Sequence, residues 1–114
     1  KIMNVYDQAH GLAQAIRESE EFKQYDQLKK VVDQNEELSK MINDFQAKQM
    51  ELQAKQLMGE EAAPDMTQQI QNLYQIIMKD PLAAQYMQAQ MRFSLMMNDV
   101  YKILGDVMGI GNFQ

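Results

Sequence analysis

The sequence predicts an all-α protein: a long antiparallel helical hairpin with shorter amino-terminal helices, bundle-like and dimeric. Three observations lead there. From Asp80 to Met108, the residues Leu82, Tyr86, Ala89, Phe93, Met96, Val100, Ile103 and Val107 recur at alternating steps of four and three, the seam of a packed helix. Only five Gly and two Pro stand beside seventeen Gln and eleven Met, so turn formers are scarce and helix formers abundant. Capping residues also stand where helices of the right length would begin.

The first helix is expected over Asn4 to Ser19, with Val5, Ala9, Leu12 and Ile16 on one stripe. Ser19 offers a hydroxyl ahead of Glu20 and Glu21, and Phe22, Tyr25, Leu28 and Val32 continue at helical spacing, predicting a second helix or a bent continuation. Asp33 precedes Glu36 by three, a capping-box arrangement that places the next start there. That third helix should run to Met58 with Leu38, Ile42, Phe45 and Leu52 inward, and Gly59 suits the left-handed residue that closes it. Glu60 to Pro64 is a loop short enough to fold the next helix back antiparallel. Asp65 with Gln68 repeats the capping box ahead of Met66, Ile70, Leu73 and Ile77. Asp80 as cap and Pro81 at the first helical position start the last helix, and Gly105 and Gly109 mark its fraying end.

The chain reads as a single all-helical domain over residues 1–114, with no internal repeat and no linker. A net charge of -5, with Lys29 and Lys30 the densest basic pair, disfavours direct nucleic-acid binding and an anionic membrane surface. The absence of cysteine removes disulfides, thiolate metal sites and thiol nucleophiles, and fits a cytoplasmic location. Lys1 to Val5 lacks the features of a signal peptide, and polar residues interrupt every apolar run before it reaches membrane-spanning length, so a soluble chain is expected.

A partner is implied by length. The 28 residues from Pro81 to Met108 extend about 42 Å as a helix, whereas a compact chain of this size is about 35 Å across. The same segment carries Met87, Met91, Leu95, Met97, Tyr101 and Leu104 beside its seam, a wider apolar arc than one neighbouring helix covers. A two-fold homodimer through this helix is the economical answer, with Tyr86, Phe93, Met96, Met97 and Val100 as the candidate protein-interface residues, central either to the core or to the dimer contact. Six of the eleven methionines lie from Met78 onward. They read first as core filler and second as an adaptable surface, so a small-molecule binder with a methionine-lined pocket is the alternative function.

Catalytic chemistry finds no support in the residues, and no enzyme, metal site or cofactor is expected. His10 is the only imidazole, without a nucleophile or second ligand at suitable spacing. The pairs Glu20-Glu21, Glu36-Glu37 and Glu60-Glu61 fall at helix starts or in a loop, where capping and dipole effects account for them. Gly109-Ile110-Gly111 follows a helix and precedes none, unlike a dinucleotide loop. Lys48 and Lys55 with Glu51 read as a solvated ladder.

Particular residues carry a resemblance: Tyr6-Asp7, Ala9-His10, Leu12-Ala13, Ala15-Ile16-Arg17 and Ser19-Glu20-Glu21-Phe22, then Phe45-Gln46, Lys48-Gln49, Glu51-Leu52-Gln53, Lys55-Gln56, Gly59 and Asn98-Asp99. With them the chain resembles the YheA branch of the YlbF/YmcA family of small bacterial helical proteins. The resemblance implies an all-helical, dimer-forming cytoplasmic protein of a Gram-positive type of bacterium. It also implies a regulatory role, since the YlbF and YmcA branches act as partners controlling competence, biofilm formation and sporulation through the machinery that cleaves messenger RNA. The iron-sulfur clusters that some relatives hold on cysteines do not carry over to a chain without cysteine.

Overall fold

The computed structural model describes residues 4–61 and 63–109. Among them the chain forms five helices and no strand: α1 (Val5–Glu18), α2 (Glu20–Asp33), α3 (Glu36–Leu57), α4 (Pro64–Met78) and α5 (Pro81–Met108). The all-helical class is as expected, and local chemistry accounts for most of the boundaries.

Asn4 starts α1, its Oδ1 accepting from the backbone N–H groups of Tyr6 and Asp7 at 2.8 and 3.4 Å. Ser19 both ends α1 and begins α2. Its backbone is extended at ψ 149°, its N–H and Oγ donate to the Ile16 carbonyl at 3.1 and 2.6 Å, and its Oγ accepts from Phe22 N–H at 3.1 Å. One hydroxyl therefore satisfies a free carbonyl on one side and a free amide on the other.

The cap expected at Asp33 lies instead at Asn35. The chain stays helical through Asp33, whose carboxylate takes Lys29 Nζ at 2.9 Å. Gln34 and Asn35 donate back to Val31 and Val32, and only at Asn35 does the backbone become extended, with Oδ1 accepting from Leu38 N–H at 3.1 Å. The fourth helix departs in the same sense. Pro64 already occupies a helical position behind Ala63, which makes no side-chain cap, so Asp65 contributes charge to the first turn instead of a capping bond. Asp80 does cap α5, accepting from Leu82 and Ala83 N–H at 2.9 and 3.2 Å. Lys48, expected in a ladder with Glu51, pairs with Asp44 at 2.7 Å.

Three glycines are expected at helix ends, and two of them, Gly59 and Gly109, stand there in the structure. Gly59 takes φ +76° after Met58, its N–H donating to Gln56 and that of Glu60 to Lys55 at 2.8 Å, the paired bonds of a Schellman closure. Gly109 takes φ +75° after Met108. Gly105, by contrast, lies inside α5, because a glycine flanked by good helix formers on both sides keeps the helical hydrogen bonds at a modest cost. The expectation for the tail beyond Gly109 falls outside the described residues.

The chain divides into two compact units, Leu28–Met87 and Lys1–Gln27 with Gln88–Gln114. In the first, α3 and α4 form the closely packed helix pair. The connection from Leu57 to Pro64 is short, so α4 folds back antiparallel on α3, and Phe45 and Gln49 of α3 line one groove with Ile70 and Tyr74 of α4. The Phe45 and Tyr74 rings stand 5.9 Å apart. Val32, Leu38, Ile42, Phe45, Ile77, Ala83 and Tyr86 are buried here and make its core. In the second unit, Phe93 of α5 stacks on Tyr25 of α2 at 5.3 Å and 5° and meets Phe22 at 5.6 Å and 58°. Arg92 donates to Gln24 at 3.3 Å beside them. Only Ala89 and Gly105 are buried among its described residues.

Replacing Asn35 by Ala should lower stability by about 1 kcal/mol, whereas Asp33→Ala should stay within about 0.5 kcal/mol because it loses only an exposed ion pair. Urea denaturation of the two variants distinguishes the caps. Gly59→Ala should cost about 1–2 kcal/mol by the same measurement, all of it from backbone conformation, since no atom lies within 4 Å of an added Cβ.

Candidate interaction surface

The apolar seam of α5 is covered unevenly. Tyr86 is only 6% exposed in the core of the Leu28–Met87 unit, and Ala89 is buried in the other unit. Phe93, Met96, Met97 and Val100 are half-buried. Beyond them the same seam emerges: Ile103 is 65% and Val107 86% exposed, with Tyr101, Leu104 and Met108 exposed on the flank. Of the five residues singled out as interface candidates, Tyr86 therefore sits in a core. Phe93 lies under the rings of Phe22 and Tyr25, and Met96, Met97 and Val100 keep part of their surface open.

A second apolar line runs along the opposite side of α5, where Met91 and Leu95 stand one turn apart and exposed. The stripe of α1 is uncovered too. None of its residues is buried, Val5 is 78% exposed, and Leu12 is exposed while Ile16 is half-buried. The sequence puts Val5, Ala9, Leu12 and Ile16 on one stripe, and periodicity records which residues share a face but not whether that face is covered. The exposed Ile103 and Val107 were legible as seam positions, and Tyr101 and Leu104 as their flank. That they form the open end of the seam was not.

The ionisable groups are spread along the helices. Among the described residues no group of three His, Cys, Asp or Glu side chains is placed to hold a metal ion. His10 is exposed on α1, Glu20-Glu21 and Glu36-Glu37 occupy first turns, and Glu60-Glu61 lies in the loop after α3. No helix is long and apolar enough to cross a membrane, among the described residues. A hollow of about 590 Å³ lies along α5 between Leu95, Tyr101, Leu104 and Met108, with Asn98, Asp99 and Lys102 at its edge. Two smaller ones of about 350 and 240 Å³ flank the α3–α4 pair. One methionine, Met108, lines these three hollows, so none of them is the methionine-lined pocket that the alternative function called for.

Five helices and no strand among the described residues define the class as an all-helical protein. Comparison with known proteins then gives the family. The family model described as control of competence regulator ComK, YlbF/YmcA, matches residues 5–108, and the chain belongs to that family. A UPF0342 protein of Caldicellulosiruptor bescii is 42% identical over 103 residues, covering 90% of this chain and 87% of the relative. A UPF0342 protein of Symbiobacterium thermophilum is 34% identical over 106 residues, covering 93% and 95%. That designation is consistent with the YheA branch. Among solved structures, a protein of unknown function (DUF964) from Bacillus stearothermophilus superposes with a TM-score of 0.74 at 26% identity, covering 92% of each chain.

Phe93→Ala should remove the ring that Phe22 and Tyr25 share, lowering stability by about 2–3 kcal/mol, less than for a fully buried phenylalanine. Near-ultraviolet circular dichroism should lose part of the tyrosine signal, while Met91→Ala, an exposed change, should leave both readings unaltered.

Proposed function

We propose that this chain is a non-enzymatic regulatory protein that acts through protein–protein contacts, in the manner of YlbF/YmcA-type regulators of bacterial development and RNA turnover. It works in the cytoplasm as a homodimer, reads no nucleic acid directly and binds no membrane. The observation that carries this is uncovered surface. On α5, Ile103, Val107 and Met108 are 65%, 86% and 63% exposed, and on α1 Val5 is 78% exposed.

Where that surface is apolar also supports the reading. Ile103, Leu104, Val107 and Met108 on α5 and Val5 and Leu12 on α1 belong to one compact unit, and they include the continuation of the seam that the same chain covers farther back. A two-fold contact uses one patch twice, so a single stretch of helix serves both sides. The acidic balance of -5 favours neither phosphate backbones nor anionic lipid, which leaves protein surfaces as the partners the composition fits.

Light scattering behind a sizing column should give twice 13.3 kDa at micromolar concentration, and a clean monomer would count against the dimer. Leu104→Glu should weaken association at least about tenfold by placing a charge in the contact, while Leu57→Glu, on the exposed end of α3, should leave the mass unchanged. The regulatory part is tested in the native cell, by messenger RNA half-lives after transcription is stopped. Loss of the protein should change them for a subset of transcripts, and the wild-type chain should restore them where Leu104→Glu does not.

A further inference from the structure

A single residue separates α1 from α2, and neither proline nor glycine forces a break there. Ser19 has a φ of -69°, which a helix also uses, so the two rods are divided by one torsion: its ψ is 149° where a helix has about -42°. Arg17, Glu18, Glu20 and Glu21 on either side are all compatible with an uninterrupted helix. Such a helix would pair Glu20 N–H with the Ile16 carbonyl and Phe22 N–H with the Glu18 carbonyl. In the structure the Ile16 carbonyl instead accepts from Ser19 N–H and Oγ at 3.1 and 2.6 Å, and Phe22 N–H donates to Ser19 Oγ at 3.1 Å. The hydroxyl holds both sides of the break.

The break also decides which way α1 faces. In one continuous helix the stripe of Val5, Ala9, Leu12 and Ile16 would lie about 140° around the axis from Phe22 and Tyr25. With ψ at 149° the half-buried positions instead run Ala13, Ile16, Ser19, Phe22 and Tyr25 across the junction without a gap. Little else restrains α1, which buries none of its residues, so the balance between a bent and a straight junction is set locally. We infer that the Ser19 hydroxyl is the latch of a one-residue switch: it holds the elbow between α1 and α2, and its release merges them into a single helix that turns the α1 stripe away from the side of Phe22 and Tyr25. The bond from Phe22 N–H to Oγ belongs to the latched form alone, because in the merged helix that amide is taken by the Glu18 carbonyl. The switch lies within one chain and does not rest on the homodimer proposed above.

Spin labels on Gln8→Cys and Gln27→Cys, both exposed and in a chain with no native cysteine, report the junction by double electron–electron resonance. The labelled full-length chain is diluted into an excess of unlabelled protein, so that only distances within one chain are read. A merged helix separates the two backbones by about 29 Å, and the bent form brings them closer. Ser19→Ala removes the hydroxyl and supplies the best helix former, so the ratio of merged to bent form should rise about tenfold over the wild type. Ser19→Thr keeps a hydroxyl and should keep the wild-type distances. Ser19→Pro, which a helix interior excludes, should show no component near 29 Å. Wild-type distances in Ser19→Ala overturn the latch, since other contacts would then hold the elbow. A broad distribution with a weaker helical circular dichroism signal in Ser19→Ala overturns it too, since α1 would then unravel instead of merging. So does a Ser19→Thr chain that straightens as far as Ser19→Ala.

Discussion

The structure depends on where apolar side chains can be hidden from water. Antiparallel packing of α3 on α4 hides Ile42, Phe45 and Ile77 almost completely, and Val32 and Tyr86 complete the same core from α2 and α5. Among the described residues nothing comparable exists in the unit of α1, the start of α2 and the remainder of α5, where Phe22 and Tyr25 pack on Phe93 and leave much of the surrounding helix open. A chain of 114 residues has a modest core to begin with, and this one concentrates it in a single region. The remaining apolar surface is then available for another molecule, and its position on helices keeps it ordered enough to be specific when covered.

Helix ends carry the next level of definition. Ser19, Asn35 and Asp80 each satisfy free backbone amides with a side-chain oxygen, and Gly59 closes α3 with a left-handed residue and paired backbone bonds. These groups set where the rods stop, which determines which face of each rod meets its neighbour. A helix started two residues earlier would rotate its apolar stripe by about 200° relative to the incoming chain. The cap at Asn35 thus matters to the core through Leu38, the residue whose amide it holds and whose side chain is buried three positions on.

Function follows from the kind of surface left over. The carboxylates occupy first turns and a loop, where the helix dipole already accounts for them, and the lone histidine stands exposed on α1. Open apolar stripes on α1 and α5 are the surface on which the proposed contacts rest, in a chain that belongs to the YlbF/YmcA family. Methionines at positions 91 and 108, with Leu95 and Leu104, give that surface side chains that adapt to more than one shape.

Much of this was legible in the residues alone. The bounds of α5, the start of α2 at Ser19, the closure at Gly59 and the cap at Asp80 follow from period and capping chemistry, because those signals are local and act within four or five residues. Where two local signals competed, sequence reading chose wrongly: Asp33 and Asn35 both suit a cap, and the choice fell to Asn35 because Asp33 is still inside α2 and paired with Lys29. Tertiary structure alone decided which stripes are covered. Val5 and Ile42 look alike as members of a helical stripe, yet one is 78% exposed and the other 2%, since burial depends on what packs against a face and the period of a single helix carries no information about its neighbour. The same holds for Tyr86 and Val107, which share the seam of α5 and end in a core and in the open.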